Sequence, residues 1–319
     1  MTKRTHERYA LTRSPLAQRL TQKKLANLLR RPLPQLKGLI KYKKSFVVAE
    51  VREIDGKARP LCYPRGPLRS VNEALKYQLS KIRLPDYVAS PRRGRGQREN
   101  AAVHVDAKQI LTLDLRKFYP SVSRRYIARF FREEFSMHPD VAGLITELLT
   151  FEGRVLYGAP ATPVLVMLAH RKMFDQIDNA CLAFGTKMSL WVDNLTISGA
   201  EVPGALLVQV REIIASHGYK THDIAFVTTN RDSTVTGVVV RCGELHPANS
   251  SNLAIRDLEA ALRNSVDPSE YEAKANRLLS RLGGQLHILG TQREWGQKIA
   301  RRMNVIRQKR DKRVRSNSK

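Results

Sequence analysis

The sequence predicts an α+β fold, and three observations carry that expectation. Strand-like and helix-like runs are mixed along the chain without the regular alternation of a doubly wound sheet. The alternating runs are short and end in turn residues, as in QILTLDL (109–115) and KMSLWVDNLTISG (187–199). Residues 252–311 return to helix, with Leu253, Leu258, Leu262, Leu278, Leu279 and Leu282 supplying apolar faces.

Taken in order, residues 1–45 are basic and place Leu16, Leu20, Leu25, Leu28 and Leu29 at roughly helical spacing. FVVAEVREIDGKARPLCYP (46–64) reads as two strands around Asp55-Gly56. LRSVNEALKYQLSKIR (68–83) is an amphipathic helix with Val71, Leu75 and Leu79 on one face. PRRGRGQREN (91–100) is a Gly-Arg loop. In QILTLDL, Ile110, Thr112 and Asp114 share one face of a strand, and Leu111, Leu113 and Leu115 share the other. Helices are expected over 121–135, over 139–151 and after Pro163. Met188, Leu190 and Val192 alternate before the next turn, and Leu195 and Ile197 after it. Asp193-Asn194 is the expected hairpin turn, because both residues tolerate left-handed backbone. A helix around 203–216 and strands near 224–229 and 234–241 follow. From Lys298 onward, ten of 22 residues are Lys or Arg and one is acidic, so a basic helix is expected to fade into a disordered tail. Trp191 and Trp295 can stack bases, but the core is the commoner place for a tryptophan. No internal repeat is visible.

Composition narrows the function. The chain has 319 residues, enough for a sizeable core and more than one lobe. Its 56 Lys and Arg against 29 acidic residues give a formal charge of +27, which repels itself unless polyanions neutralise it. Nucleic acid is therefore the leading partner. Cys62, Cys181 and Cys242 are odd in number and lack CxxC spacing, which excludes a disulfide framework and a zinc site and suits a reducing cytosol. No run of ~18 apolar residues offers a membrane span, and the first residues lack a signal core. A soluble protein of the cytoplasm, without a membrane partner, is expected.

Two carboxylates invite chemistry. Asp114 sits where an alternating strand ends, and Asp193 sits at a hairpin tip. Such a pair suits two Mg²⁺ ions ~3.5–4 Å apart, one activating a hydroxyl and one steadying a leaving pyrophosphate. Magnesium takes oxygen ligands and keeps waters and substrate phosphates, so two carboxylates and a backbone carbonyl suffice.

These residues carry a resemblance. LTLDLRKFYPSV resembles motif A of reverse transcriptases, GAPATP (158–163) their motif B loop, and LWVDNLTISG their motif C, in that order. ENAAVH (99–104) is similar to the NAxxH element of retron reverse transcriptases, and Val235-Thr236-Gly237 to their VTG triplet. The resemblance implies a right-hand polymerase fold. It assigns 1–45 to a basic helical N-terminal segment and 46–105 to fingers. It assigns 106–240 to an antiparallel palm holding motifs A to D, with fingers helices within 139–165, and 241–319 to a helical thumb with a basic tail. It makes Asp114, Asp193 and Asn194 catalytic, with Asp114, the Leu115 carbonyl and Asp193 holding two Mg²⁺ ions.

The resemblance also assigns substrate contacts. Tyr119 stands as the steric gate against ribonucleotides, and Arg59, with Lys57 beside it, as the grip on the triphosphate. Tyr157 and Gly158 are substrate contacts at the motif B loop, where the lack of bulk at Gly158, Ala159 and Pro160 lets backbone approach the nascent base pair. RNA contacts are expected from Arg92, Arg93, Arg95, Asn100, His104, Val235, Thr236, Gly237, Arg301 and Arg302. The implied activity is copying part of a cognate structured non-coding RNA into single-stranded DNA from dNTPs. Priming from an RNA 2′-hydroxyl would leave the two joined as msDNA. The implied setting is antiphage defence with a separate effector or toxin protein. Three positions depart from the pattern: Tyr157 replaces a Gln, Asn194 replaces a second Asp, and Ile224 or Ala225 falls where motif D carries Lys. Two alternatives therefore stand beside it. One is another defence-associated or group II intron-like reverse transcriptase; the other is an RNA-binding scaffold with a decayed polymerase fold.

Overall fold

The computed structural model describes residues 8–54, 57–228 and 232–317; the side chains of 54, 57, 59, 316 and 317 are not among those described. The expected Asp55-Gly56 turn lies outside the described residues. In chain order the elements are α1 (Gln22–Leu28), α2 (Leu33–Lys41), β1 (Val47–Ile54), β2 (Lys57–Pro64), α3 (Gly66–Leu79), β3 (Val88–Ser90), α4 (Gln97–Ala102) and β4 (Gln109–Leu115). Next come α5 (Phe118–Ser121), α6 (Arg124–Glu134), α7 (Pro139–Leu149), β5 (Thr150–Phe151), β6 (Arg154–Val155), α8 (Thr162–Ala169) and α9 (Arg171–Ala183). The chain continues through β7 (Lys187–Trp191), β8 (Asn194–Gly199), α10 (Gly204–Ser216), β9 (Thr221–Thr228), β10 (Ser233–Val235), β11 (Val238–Arg241) and β12 (Glu244–Pro247). It ends in α11 (Asn249–Arg263), α12 (Pro268–Leu289) and α13 (Glu294–Asn317). Helix and sheet are mixed as the sequence predicts, and the class is α+β.

The chain divides into two units that interleave in sequence. One comprises Met1–Pro91, Leu115–Asn179 and Val208–His222; the other comprises Arg92–Asp114, Ala180–Leu207 and Asp223–Lys319. In the first, α7 is apolar on nearly every side and buries Val141, Ala142, Leu144, Ile145, Leu148 and Leu149. It packs against α1, α2, α3 and α6. A second knot gathers Phe118, Phe174, His170 and Tyr219 edge to face. His170 is fully buried, with Nδ1 2.8 Å from the Val166 carbonyl and Nε2 2.6 Å from the Tyr219 hydroxyl. A carbonyl can only accept, so Nδ1 carries the proton and the Tyr219 hydroxyl donates to Nε2.

The second unit is built on strands in the order β7-β8-β4-β9. β4 and β7 both run antiparallel to β8, with Asp114 opposite Asn194, Thr112 opposite Thr196 and Ser189 opposite Thr196. Period-two alternation then sorts the faces. Leu111, Leu113, Met188, Leu190, Leu195 and Ile197 form the buried apolar face, while Asp114, Thr112, Asn194, Thr196, Ser189 and Ser198 share the polar one. The β10-β11-β12 sheet packs Val235, Val238, Val240 and Leu245 against Ala101 of α4 and Ile110 of β4.

The final helices form a bundle around Ile255, Leu262, Tyr271, Leu278, Leu282, Ile299, Met303 and Ile306. The expected return to helix over 252–311 is made by three helices. Asp267 caps the second, its carboxylate accepting from the Glu270 amide at 2.8 Å, and Gly290 at φ 79° ends it. α13 continues to Asn317, so the tail expected to be disordered is helical that far. Leu253 and Trp295, expected to pack inward, are 55% and 67% exposed, and Lys298 lies over the Trp295 ring.

Candidate functional site

Asn194 and Asp114 face each other across β8 and β4, and the Asn194 Nδ2 donates to the Asp114 Oδ2 at 3.1 Å. Trp191 pairs with Asn194 at the end of the hairpin, which leaves Val192 and Asp193 as its two-residue turn. Asp193 therefore stands one residue from the strand partner of Asp114. The expected Asp-Asn turn is corrected to Val-Asp, and Asn194 opens the strand. The left-handed backbone falls on Val192, at φ 63°, where a β-branched side chain costs about 1–3 kcal/mol. Asp114, Asp193 and Asn194 are all half-buried, accessible to a substrate yet screened from bulk water.

The donor set fits a hard cation. Among the described residues no three His, Cys, Asp or Glu side chains cluster, as a zinc or all-protein calcium cage would require. Two carboxylates, one near the end of β4 and one in the turn that precedes β8, suit a Mg²⁺ that draws its remaining ligands from water and phosphate. Leucine has no side-chain donor atom, so Leu115 could offer a cation only its backbone carbonyl.

The two short elements expected to touch RNA meet inside the second unit. The Asn100 Nδ2 donates to the Thr236 Oγ1 at 3.2 Å. Thr236 and Gly237 form the β10–β11 turn at φ 48° and 83°, the paired positive values of a type I′ hairpin. His104, just beyond α4, lies 2.7 Å from both the Ser198 and the Ser189 hydroxyls. Burial, with a smaller contribution from Lys187, pushes its imidazole down to about 4, so the ring is neutral at physiological pH. His104, Asn100 and Val235 are 0%, 1% and 0% exposed. The expectation that these three side chains touch RNA is corrected on that ground: each is enclosed by protein. Thr236 is half-buried and Gly237 exposed, leaving the hairpin tip as the accessible part.

The substrate-side candidates belong to the first unit. Tyr119 is half-buried on α5, whereas its neighbour Phe118 is the core residue of the pair. The Gly158 amide donates to the Cys62 carbonyl at 3.0 Å, and a Cβ on Gly158 would meet the Tyr63 Cβ at 2.9 Å. The missing side chain thus lets the 158–163 loop lie against β2, a reason for glycine that needs no substrate. Tyr157 is half-buried. Lys57 and Arg59 lie on β2, but their side chains are outside those described.

Among the arginines, Arg93 and Arg301 are exposed, Arg92 and Arg95 are half-buried, and Arg302 is ion-paired with Glu259. The sequence reading missed a groove of about 1010 Å³ in the first unit, lined by Arg19, Arg125, Arg129, Arg132 and His138. Its signal was present in RRYIARFFREE, where Arg125, Arg129 and Arg132 recur at helical spacing on one face.

An antiparallel sheet with one carboxylate near a strand end and another at the adjoining hairpin tip agrees with the palm that the resemblance to reverse transcriptases implies. Comparison with known proteins leads to one branch of that class. The chain is similar to the retron Se72 reverse transcriptase of Salmonella heidelberg (strain 579083-10), 28% identical over 143 residues, 44% of this chain and 38% of that protein. It is also similar to the retron Mx162 reverse transcriptase of Myxococcus xanthus, 24% identical over 257 residues, 69% of this chain and 52% of that one. The chain thus resembles retron-type reverse transcriptases and spans about half or less of the length of these relatives. No family model matches it. Among solved structures, a foamy viral protease-reverse transcriptase in complex with double-stranded DNA has a TM-score of 0.44 at 15% identity, covering 79% of this chain and 40% of that one. A telomerase from Candida albicans has 0.49 at 10%, covering 88% and 60%.

Proposed function

We propose that the chain is an RNA-directed DNA polymerase of the retron type. The observation that carries this is the pairing of Asp114 with Asn194, which sets Asp193 beside the end of β4. In the proposed reaction a primer hydroxyl attacks the α-phosphorus of a dNTP, a phosphodiester forms, and pyrophosphate leaves. Asp114 and Asp193, with the Leu115 carbonyl, would hold two Mg²⁺ ions, which supply Lewis acidity for the hydroxyl and the leaving group. The neutral amide of Asn194 would orient Asp114 without adding charge. Tyr119 would exclude ribonucleotides, Tyr157 and Gly158 would shape the substrate loop, and Lys57 and Arg59 would meet the triphosphate. The exposed tip of the β10–β11 hairpin, the Arg92–Arg95 loop, Arg301 and the arginine groove would contact RNA phosphates.

The similarity to retron reverse transcriptases supports the finer reading. Here the template is a cognate structured RNA, the primer is a 2′-hydroxyl within it, and the product is msDNA. The setting is the bacterial cytoplasm in antiphage defence, with a separate effector. Fingers, palm and thumb would follow the divisions drawn from the sequence. A second reading, an RNA-binding scaffold without catalysis, is favoured by Asn194 and by the absence of a motif D Lys on β9.

The experiment is sequencing of the nucleic acid that copurifies with the protein, alongside Asp114→Ala and Asp193→Ala. Covalently joined RNA and DNA from the natural protein, and RNA alone from both variants, is the expected result. RNA alone from all three proteins favours the scaffold. Equal DNA from all three removes the carboxylates from the chemistry.

A further inference from the structure

His104 meets two serines of one distant hairpin, Ser189 and Ser198, through two 2.7 Å hydrogen bonds. Ser189 is on β7 and Ser198 on β8; Ser189 pairs with Thr196, and Lys187 with Ser198. The imidazole therefore spans the hairpin diagonally, on the face that also carries Asn194 and Asp114. A serine hydroxyl rotates to donate or accept, so a neutral ring satisfies both serines in either tautomer. The opposite face of the same strands is apolar, with Met188, Leu190, Leu195 and Ile197 buried. Apolar burial holds the strands together but is non-directional, and it resists sliding poorly. The diagonal bridge adds side-chain direction to the backbone ladder. Because His104 lies on the segment that leads from α4 into β4, it also ties both strands to that segment and opposes their sliding along β4.

We propose that His104 is a positioning residue for DNA synthesis, fastening β7 and β8 to the segment that leads into β4 so that Asp193 stays in register with Asp114. It acts through the two serines rather than on the reacting atoms. The inference rests on the polymerase reading above. It also replaces the RNA-contact role expected for His104 by an interior one.

The test begins with synthesis by the natural protein on a primed RNA template. No synthesis at any magnesium concentration overturns the polymerase reading and this inference with it. Given activity, His104→Leu keeps most of the bulk and removes both bonds. It is expected to lower kcat roughly 10–100-fold, as small misplacements of reacting groups do. The KM for dNTP should change little, and the magnesium needed for half-maximal synthesis should rise. His104→Gln keeps one donor and one acceptor and should restore kcat to within about threefold. Amide exchange gives a readout apart from activity. Leu195 to Ile197 should exchange faster in the Leu variant and return toward natural rates in the Gln variant, while α7 is unchanged. Should the Leu variant fail to fold, Ser189→Ala with Ser198→Ala leaves the ring in place and carries the same expectation. Natural kcat and magnesium dependence in the variant lacking both bonds overturns the inference. So does an equal loss in the Leu and Gln variants with unaltered β7–β8 exchange, because the loss would then follow volume and not hydrogen bonding.

Discussion

The β7–β8 and β10–β11 hairpins turn through two residues each, yet they solve the turn differently. β10–β11 places Thr236 and Gly237 at positive φ, and the glycine adopts its value without steric cost. β7–β8 puts Val192 there instead, a residue poorly suited to left-handed backbone. Both are tied to the short α4 segment, one through Asn100 to the turn itself, the other through His104 to the strands behind it. The hairpin bearing Asp193 therefore carries strain at its tip and its directional anchor further back. Strain of this kind persists only where surrounding structure over-determines it. The difference teaches that β7–β8 is built for a position, while β10–β11 is built for a shape.

The comparison breaks most visibly in synthesis. Asp193→Ala should reduce DNA synthesis to background while leaving RNA affinity nearly intact, because ions act on the chemistry and the basic surface on binding. Thr236→Ala should do the reverse, weakening RNA binding with residual turnover per bound complex preserved. Filter binding and single-turnover extension on the same preparations separate the two. Identical phenotypes would mean the hairpins do not divide the work.

A smaller effect concerns the turns themselves. Val192→Gly should stabilise by about 1 kcal/mol, relief of strain outweighing the added freedom of the unfolded chain. Gly237→Ala should destabilise by about 1–2 kcal/mol, since φ 83° disfavours a side chain. Denaturant unfolding reads both, and equal signs would remove the contrast.

The smallest effect is in pH. Of the two anchors, only His104 titrates. Its folded value of about 4 lies below the ordinary 6.5, so between these values the unfolded state binds more protons. Stability is full above about 6.5 and falls as pH drops toward 4. His170, also at about 4, contributes in the same sense from the first unit. His104→Gln should remove one linked proton and roughly halve the slope that the two histidines produce. An unchanged slope would place the linkage elsewhere.

Much of this was legible beforehand, for reasons that differ by residue. Strict alternation in QILTLDL exposed the faces of β4, because a half-buried strand must alternate. Asp114 and Asp193 were singled out from strand end and hairpin tip, and the resemblance to motifs A and C gave them their expected role. The turn was misplaced by one residue because Asp and Asn satisfy turn chemistry so well that Val192 was assigned to the strand before it. Tertiary packing overrode the local preference. His104 and Asn100 were expected to touch RNA because ENAAVH resembles the NAxxH element. Their burial depends on serines and a threonine 85, 94 and 136 positions away, which no local window contains. The strands β5, β6 and β12 span two, two and four residues, too short to display a period.

The central claim is that Asp114 and Asp193 form a working metal site that Asn194 completes without charge. It is tested most directly by a magnesium titration of DNA synthesis for the natural protein and Asn194→Asp, each assembled with its own RNA. Replacing the amide that donates to Asp114 by a carboxylate adds repulsion without metal and attraction with it. The account predicts synthesis by the natural protein and a lower magnesium midpoint in the variant, with the maximal rate changed less. Absence of synthesis by the natural protein at every magnesium concentration would contradict it.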